Sequence, residues 1–239
     1  MSVEELVRKV SLFADLGESD VRDIASLARF KTYPKDHLLF DRGEEGEEFL
    51  IVVDGRLKII FLNEDGRELT LTILSPYQSL GEMSLIDDYP RSASAVALGD
   101  MKVLSINKRD FRKLLETNGR IALGLLRQMS RRLRELTEDT AGLIFLDVYQ
   151  RLARKLLTLS RNIGVPSDGG REIPQRLTHQ ELANMIGATR ETVTKVLNDM
   201  ETREIIRFDK KRVSILNESE LEKSTRRSHE EHHPKRTSG

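Results

Sequence analysis

Gly81, Glu82, Arg91 and Ser92 stand in the run LGEMSLIDDYPRSASAV, residues 80–96, a set of side chains suited to a sugar and a phosphate. Gly81 has no Cβ, so backbone N–H groups around it can approach a ligand closely. The mostly apolar stretch Met83 to Ile86 is long enough for one or two helical turns. The free N–H groups and dipole at the start of such a turn favour a phosphate. Arg91 offers a guanidinium able to fork onto two phosphate oxygens, with the hydroxyl of Ser92 beside it. Glu82, nine positions earlier around a tight loop, is an acceptor for sugar hydroxyls. The combination suits a small cyclic nucleotide. The competing reading is an ordinary turn at Gly81 with a surface ion pair between Glu82 and Arg91.

A second set lies near the C-terminal end. Thr178, His179, Gln180 and Glu181 form a capping-box sequence, and Leu177 with Leu182 provides the hydrophobic staple around it. The helix stops at Gly187, and Thr189 caps a second helix through about Thr202. Val193, Val196, Leu197 and Met200 define its buried side, which leaves Arg190, Glu191, Thr194 and Lys195 facing outward early in the helix. Polar side chains placed there are how major-groove readers dock on double-stranded DNA. The following IIRFDKKRVSIL reads as two short strands around Asp209–Lys211, a wing whose lysines suit phosphates. A plain helical hairpin is the competing reading of 178–202.

The elements that must position these sets follow from periodicity. Residues 2–30 carry apolar positions at helical spacing, with Ser19 as the expected cap of the second helix. Between Phe30 and Ile106 the pattern changes to short strands: LLF, EFLIVV, RLKIIFL, ELTLTIL and MKVLSI. Turn elements containing Gly43, Gly46 and Gly55 separate them, which indicates an antiparallel sandwich or barrel. Lys108–Leu143 is helical with an interruption near Asn118–Gly119. In its second half Leu126, Met129, Leu133, Leu136, Thr140 and Leu143 alternate spacings of three and four, interleaved with charges such as Arg131, Arg132 and Glu135. That is a coiled-coil-like seam, expected to pair two chains in a parallel homodimer. Asp147–Asn162 is a further amphipathic helix, and Gly164–Pro174 reads as a loop. From Glu218 onward the chain is charged and aperiodic, an expected disordered tail. His229, His232 and His233 offer metal ligands there, but a flexible polar tail is preferred and no metal is expected.

Composition narrows the classes. Of 239 residues 38% are hydrophobic and 33% charged, with 39 bases balancing 39 acids. Acids predominate in the first hundred residues and bases from Asp147 to Leu216, which permits a nucleic-acid face on the C-terminal part. The absence of cysteine excludes disulfides, thiolate zinc sites and cysteine-ligated iron–sulfur clusters. No apolar run approaches a membrane span and the N-terminus is a charged helix, so a soluble cytoplasmic protein without membrane contact is expected. No nucleophile–base pair, metal-ligand cluster or P-loop stands out, and His37 and His179 are isolated. An enzyme is the least favoured class.

GEMSLIDDYPRSASA and LTHQELANMIGATRETVTKVL, in this order around a seam helix, resemble the CRP/FNR family of bacterial regulators (cAMP receptor protein, fumarate–nitrate regulator). The resemblance runs from about Leu12 to Leu216. It implies an α+β chain with a cyclic-nucleotide-binding jelly-roll β-barrel at residues 1–118, a dimerisation helix at 119–146, a winged helix-turn-helix at 147–217 and a tail at 218–239. It also implies Gly81 and Met83 backbone groups near a cyclic phosphate, Glu82 on the ribose 2′-hydroxyl, and Arg91 with Ser92 on the phosphate. Arg190, Glu191 and Lys195 fall at the family's three base-contacting positions, with Thr178, His179, Thr189 and Thr194 around them. The implied target is a palindrome with TGTGA-like half-sites, and RNA polymerase is the implied partner. Lys195 replaces an arginine of the cAMP receptors, so the planar fork is lost there.

The base of the nucleotide is the weaker part of the match. The family's cAMP receptors place a Thr–Ser pair on the dimer helix against adenine. An ungapped count from FLDV, Phe145–Val148, puts Leu136 and Thr137 at those positions. Thr137 retains a hydroxyl; Leu136 has none. The expected function is therefore a homodimeric DNA-binding transcription regulator controlled by a cyclic nucleotide, first of all cAMP. An effector-independent regulator of the same family is the alternative. A nucleotide-sensing protein-interaction module is a third reading, which Arg190, Glu191 and Lys195 argue against.

Overall fold

The computed structural model describes residues 1–167 and 169–225, in two compact units, Met1–Glu138 and Asp139–Gly239. The first begins with α1 (Val3–Lys9), a 3-10 turn (Ser11–Phe13) and α2 (Glu18–Leu27). Ser2 and Glu5 cap α1 reciprocally. The cap of α2 is Gly17, not Ser19: the Asp20 carboxylate accepts from Gly17 N–H and starts the helix two residues earlier. Eight strands and a short helix follow: β1 (Arg29–Tyr33), β2 (Leu38–Phe40), β3 (Glu48–Asp54), β4 (Leu57–Leu62), β5 (Glu68–Leu74), β6 (Ser79–Leu80), α3 (Met83–Ile86), β7 (Ser94–Ala97) and β8 (Met101–Asn107). They form two antiparallel sheets, ordered β1-β8-β3-β6 and β2-β7-β4-β5, the double sheet of a jelly roll. After them come α4 (Lys108–Thr117) and the long α5 (Gly119–Phe145), which runs into the second unit.

Strand β3 shows why EFLIVV has no polar alternation. Leu50 and Val52 point between the sheets, onto Leu57, Leu80, Ala95 and Val103. Phe49 and Ile51 point the other way, into a cluster with Phe13 and Ile24 of the N-terminal segment, Leu85, Phe111 of α4, and Ile121 and Leu125 of α5. Successive side chains alternate faces, and here both faces are dry. The helices thus cover one sheet, and α5 lies against the strands that carry Gly81 and Glu82.

Further along α5 the surface is apolar but uncovered. Leu126, Leu133 and Leu136 are 60%, 66% and 54% exposed in the first unit. Met129, expected in the same seam, instead packs half-buried on its own core. In the second unit Leu143, Ile144 and Phe145 are also exposed.

The second unit continues with α6 (Val148–Ile163), β9 (Val165–Ser167), β10 (Gly170–Ile173), α7 (His179–Ile186), α8 (Arg190–Thr202), β11 (Ile206–Asp209), β12 (Arg212–Ile215) and α9 (Glu218–Ser224). Its sheet has the order β11-β12-β10-β9. The expected loop at 164–174 is in fact a hairpin on this sheet, Val165 pairing with Glu172 and Ile173 with Val213. Pro166 is tolerated because β9 is an edge strand. The expectation of disorder from Glu218 also fails at its start. Asn217 caps α9, Leu221 and Ser224 are fully buried, and Arg161 of α6 pairs with Glu218 and Glu222. One buried leucine and a cap suffice to hold a short charged helix against α6. His229, His232 and His233 lie outside the described residues.

Candidate functional site

The loop between β6 and β7 brings Glu82 and Arg91 into one cradle, and neither is a surface residue. Glu82 is 2% exposed and Arg91 7%. They are not each other's hydrogen-bond partner. Arg91 Nη1 donates to the Gly81 carbonyl at 2.8 Å and to Ser84 Oγ at 3.0 Å, and Nη2 donates to the Glu48 carbonyl at 2.9 Å. Its guanidinium lies over the Phe40 ring, 4.3 Å from the centroid. Burial pushes the pKa of Arg91 down, and the carboxylates of Glu82, Glu48, Glu44 and Glu47 oppose that shift. Gly81 is required by this packing. Its φ is +89°, and a Cβ there would sit 2.6 Å from Arg91 Nη1 and 2.8 Å from the Glu48 carbonyl oxygen.

Glu82 is held by a residue that its sequence neighbours do not reveal. Arg132 of α5 donates from Nη1 to Glu82 Oε1 and from Nη2 to the Ser79 carbonyl. Gln128, one turn earlier, exchanges a hydrogen bond with Ser79 Oγ. The signal was present in the spacing: Ile121, Leu125, Gln128 and Arg132 recur on one helix face, buried at its start and polar at its end. A polar continuation of a core-facing stripe marks the rim of a site.

Two polar atoms in the cradle are buried without a hydrogen-bond partner among the described residues, Glu82 Oε2 and Arg91 Nε. One is an acceptor and the other a donor, as a sugar hydroxyl and a phosphate oxygen require. Ser92 is exposed beside Arg91, its Oγ 3.9 Å from Met83 Sδ. Met83 is 46% exposed at the rim. Thr137 is not gathered into the cradle by a hydrogen bond: its hydroxyl donates to the Leu133 carbonyl of α5 at 2.9 Å. Among the described residues no cluster of His, Cys, Asp and Glu could hold a metal ion.

In the second unit the helix-turn-helix has its expected anatomy. Thr178 accepts from Glu181 N–H at 3.1 Å while Glu181 Oε2 accepts from Thr178 N–H at 2.6 Å. Gly187 closes α7 in the left-handed conformation, φ 62° and ψ 48°. Thr189 caps α8 by accepting from Thr192 N–H. Val193, Leu197 and Met200 are fully buried, which leaves Arg190, Glu191 and Lys195 exposed and Thr194 half-buried. The wing turns at Lys210 and Lys211 with φ of 47° and 66°, the paired left-handed residues of a tight hairpin. Leu177 N–H donates to the Lys211 carbonyl at 2.6 Å, tying the turn to the start of α7. Between them is a recess of about 450 Å³ lined by Thr178, His179, Gln180, Arg190, Phe208 and Lys211.

Comparison with known proteins agrees with both halves. The family model described as the cyclic nucleotide-binding domain matches residues 30–118, and that of the Crp-like helix-turn-helix domain matches 150–224. The CRP-like cAMP-activated global transcriptional regulator of Mycobacterium tuberculosis is 33% identical over 94% of this chain and 100% of its own length. This chain belongs to the CRP/FNR family of transcription regulators. The cyclic AMP receptor protein of Thermus thermophilus is 31% identical over 88% of this chain and 94% of its own. The structure of the c-di-GMP responsive global regulator CLP of Xanthomonas campestris superposes with a TM-score of 0.73 at 25% identity, covering 83% of this chain and 99% of that one. The CRP/FNR chain described here is therefore a DNA-binding regulator with a cyclic-nucleotide-binding domain, and not an enzyme. Among its described residues no helix is long and apolar enough to cross a membrane.

Proposed function

We propose that this chain acts in the cytoplasm as a homodimer that binds a palindromic DNA site and responds to a cyclic nucleotide, cAMP being the first candidate. The effector half is carried by the two orphaned atoms: Glu82 Oε2 would accept from a ribose hydroxyl, and Arg91 Nε with the Ser92 hydroxyl would donate to the phosphate. Gly81 and Met83 would lend backbone groups at the rim, and Thr137, whose hydroxyl donates to the Leu133 carbonyl, is the residue we assign to the base. The relatives named above support cAMP, whereas the Xanthomonas regulator makes a cyclic dinucleotide the second candidate. The exposed leucines of α5 support pairing of two chains.

On DNA, Arg190 suits guanine O6 and N7 and Glu191 suits the cytosine amino group, consistent with TGTGA-like half-sites. Thr178, His179, Thr189, Thr194 and Lys195 would surround them on backbone and bases. Two such helices must meet successive major grooves about 34 Å apart. RNA polymerase is the partner this role requires.

One observation favours a second reading. Arg132 already occupies one oxygen of Glu82, so the cradle is partly satisfied from within, as an effector-independent regulator would need. Calorimetric titration with cAMP, cGMP and a cyclic dinucleotide separates the two. Micromolar binding of any of them, lost in Arg91→Leu, supports the effector reading. Silence from all three moves the assignment to the effector-independent regulator.

A further inference from the structure

The N-terminal segment shares a core with Phe49, Leu85, Ile121 and Leu125, and at one point it comes closer to α5 than a side chain allows. A Cβ on Gly124 would sit 2.4 Å from the Leu12 carbonyl oxygen and 3.3 Å from the Leu12 carbonyl carbon. Glycine weakens a helix interior relative to alanine, and here the missing methyl is what lets the 3-10 turn seat against the helix. The turn is itself pinned from behind. Leu12 and Phe13 are 3% and 1% exposed, and the Phe13 ring meets Phe49 edge to face at 6.5 Å between centroids. Just past the turn, Asp15 pairs with Arg127 of α5 at 2.7 Å.

Gly124, Gln128 and Arg132 recur every four residues and so follow one row of α5. The last two grip the strand that leads into the cradle: Gln128 bonds Ser79 Oγ, and Arg132 donates to the Ser79 carbonyl and to Glu82. The N-terminal segment also touches the other side of this junction. Tyr77, two residues before Ser79, has φ of 71°, a conformation uncommon for a bulky side chain. It packs half-buried on the N-terminal core, and its hydroxyl accepts from Lys9 Nζ at 3.4 Å. Helix and strand thus both rest on residues 9–15.

We propose that residues 9–15 are a strap that sets the position of α5 on the barrel, with Gly124 as its seat, and that Arg132 reaches Glu82 only while the strap is seated. The dimensions decide this. A methyl group needs about 3.4 Å from a carbonyl oxygen, so a side chain at Gly124 opens the gap by about 1 Å. An arginine–carboxylate hydrogen bond is about 2.8 Å long, and about 1 Å more takes it past bonding range. α5 is continuous from Gly119 to Phe145, so a shift at Gly124 is carried to Arg132, about 12 Å along the axis. Gly124 and Leu12 touch no ligand; they are positioning residues for the cradle. The proposal holds whichever effector the cradle takes.

The test is a double-variant cycle on the full chain, read as the urea midpoint of unfolding. Arg132→Ala lowers the midpoint of the wild type by parting the pair with Glu82. In Gly124→Ala that pair is already parted, so the same substitution should lower the midpoint by less than about half as much. Equal shifts in the two backgrounds overturn the proposal, because the strap would then have moved aside and left α5 in place. Native-state hydrogen exchange on the wild type decides it even if Gly124→Ala does not fold. Amides of Phe13–Leu16 should open in one step with those of Gln128–Arg132; N-terminal amides that exchange freely while Gln128–Arg132 stay protected overturn it. Calorimetric titration adds the functional readout: a nucleotide bound by the wild type should bind about tenfold more weakly to Gly124→Ala, and equal affinity overturns the proposal. A wild type that binds no nucleotide is a failure of the effector reading alone, and the cycle and the exchange still decide the strap.

Discussion

Replacing Arg132 by alanine removes the cation from a carboxylate that has almost no access to water. Glu82 has 3% of its side chain exposed, against 35% for Arg132, so the damage falls on the partner left behind. Breaking a buried pair by deleting one member costs about 3–5 kcal/mol. Water can reach the vacated Arg132 side, which brings the expected loss to about 2–3 kcal/mol, near the worth of the charge-assisted hydrogen bonds removed. Urea unfolding followed by circular dichroism measures it. Glu82→Gln keeps the shape and removes the charge, so the double variant should lose about 1–2 kcal/mol less than the sum of the singles. A loss for Arg132→Ala within about 0.5 kcal/mol, the range of ordinary surface substitutions, would refute the reasoning. So would an additive double variant.

Gly81→Ala places a Cβ 2.8 Å from the Glu48 carbonyl at φ +89°, and a backbone oxygen cannot swing away. A destabilisation of about 2 kcal/mol or more is expected from left-handed strain plus the clash, checked by the same unfolding assay. Asp88 is held at a pKa of about 2 by hydrogen bonds from Arg112 and Lys108. Its folded-state value is depressed, so its contribution is present above the ordinary carboxylate value and disappears as pH falls toward about 2. Melting curves across that window should show a shallower acid limb in Asp88→Asn, and an unchanged limb would contradict the assignment. If two chains pair through α5 as proposed, Leu133→Glu with Leu136→Glu should leave only monomer in sedimentation velocity; a dimer that survives both charges would move the pairing surface elsewhere.

The parts of this chain legible in its sequence are those where one pattern governs a whole element. EFLIVV and MKVLSI read as strands because branched apolar residues fill both faces, and LTHQELANMIG carries its cap, staple and left-handed glycine in order. Strand β7 escaped because SAVA sits inside the ligand-like run and has too few residues for a period. β9 escaped because Pro166 and the glycines around it signal a loop, whereas pairing with β10 on an edge overrides that local preference. α9 escaped because its fold depends on Leu221 meeting α6, a contact that composition does not encode. In the cradle, Glu82 and Arg91 were legible from residue type and spacing. Arg132 was legible only as the polar continuation of the Ile121, Leu125 and Gln128 face; it lies fifty positions from Glu82, and nothing in the sequence pairs it with that carboxylate.

That distant arginine alters how the cradle is understood. A buried acceptor or donor without a partner costs about 1–3 kcal/mol, and native proteins keep few of them. Glu82 Oε2 and Arg91 Nε are two in one loop. Their neighbours on the same side chains are fully engaged, Oε1 by Arg132 and the two Nη atoms by Gly81, Ser84 and Glu48, so both groups are already desolvated and fixed in orientation. A ligand hydroxyl and phosphate would therefore meet partners whose ordering cost has been met on folding, the condition under which few contacts give useful affinity. The consequence for control lies in α5, which carries Arg132 on one face and the exposed Leu133 and Leu136 beside it. Only a difference in affinity between two arrangements of α5 can bias its pairing, and a tenfold bias needs about 1.4 kcal/mol. One charge-assisted hydrogen bond to Glu82 is worth about 1.5–3 kcal/mol. Under the proposed effector reading, a ribose hydroxyl on Glu82 would set that bias only as far as Arg132 holds Glu82 differently in the two arrangements; no contact from the base would then be needed, and the missing hydroxyl at Leu136 would weaken the choice of nucleotide more than the switch.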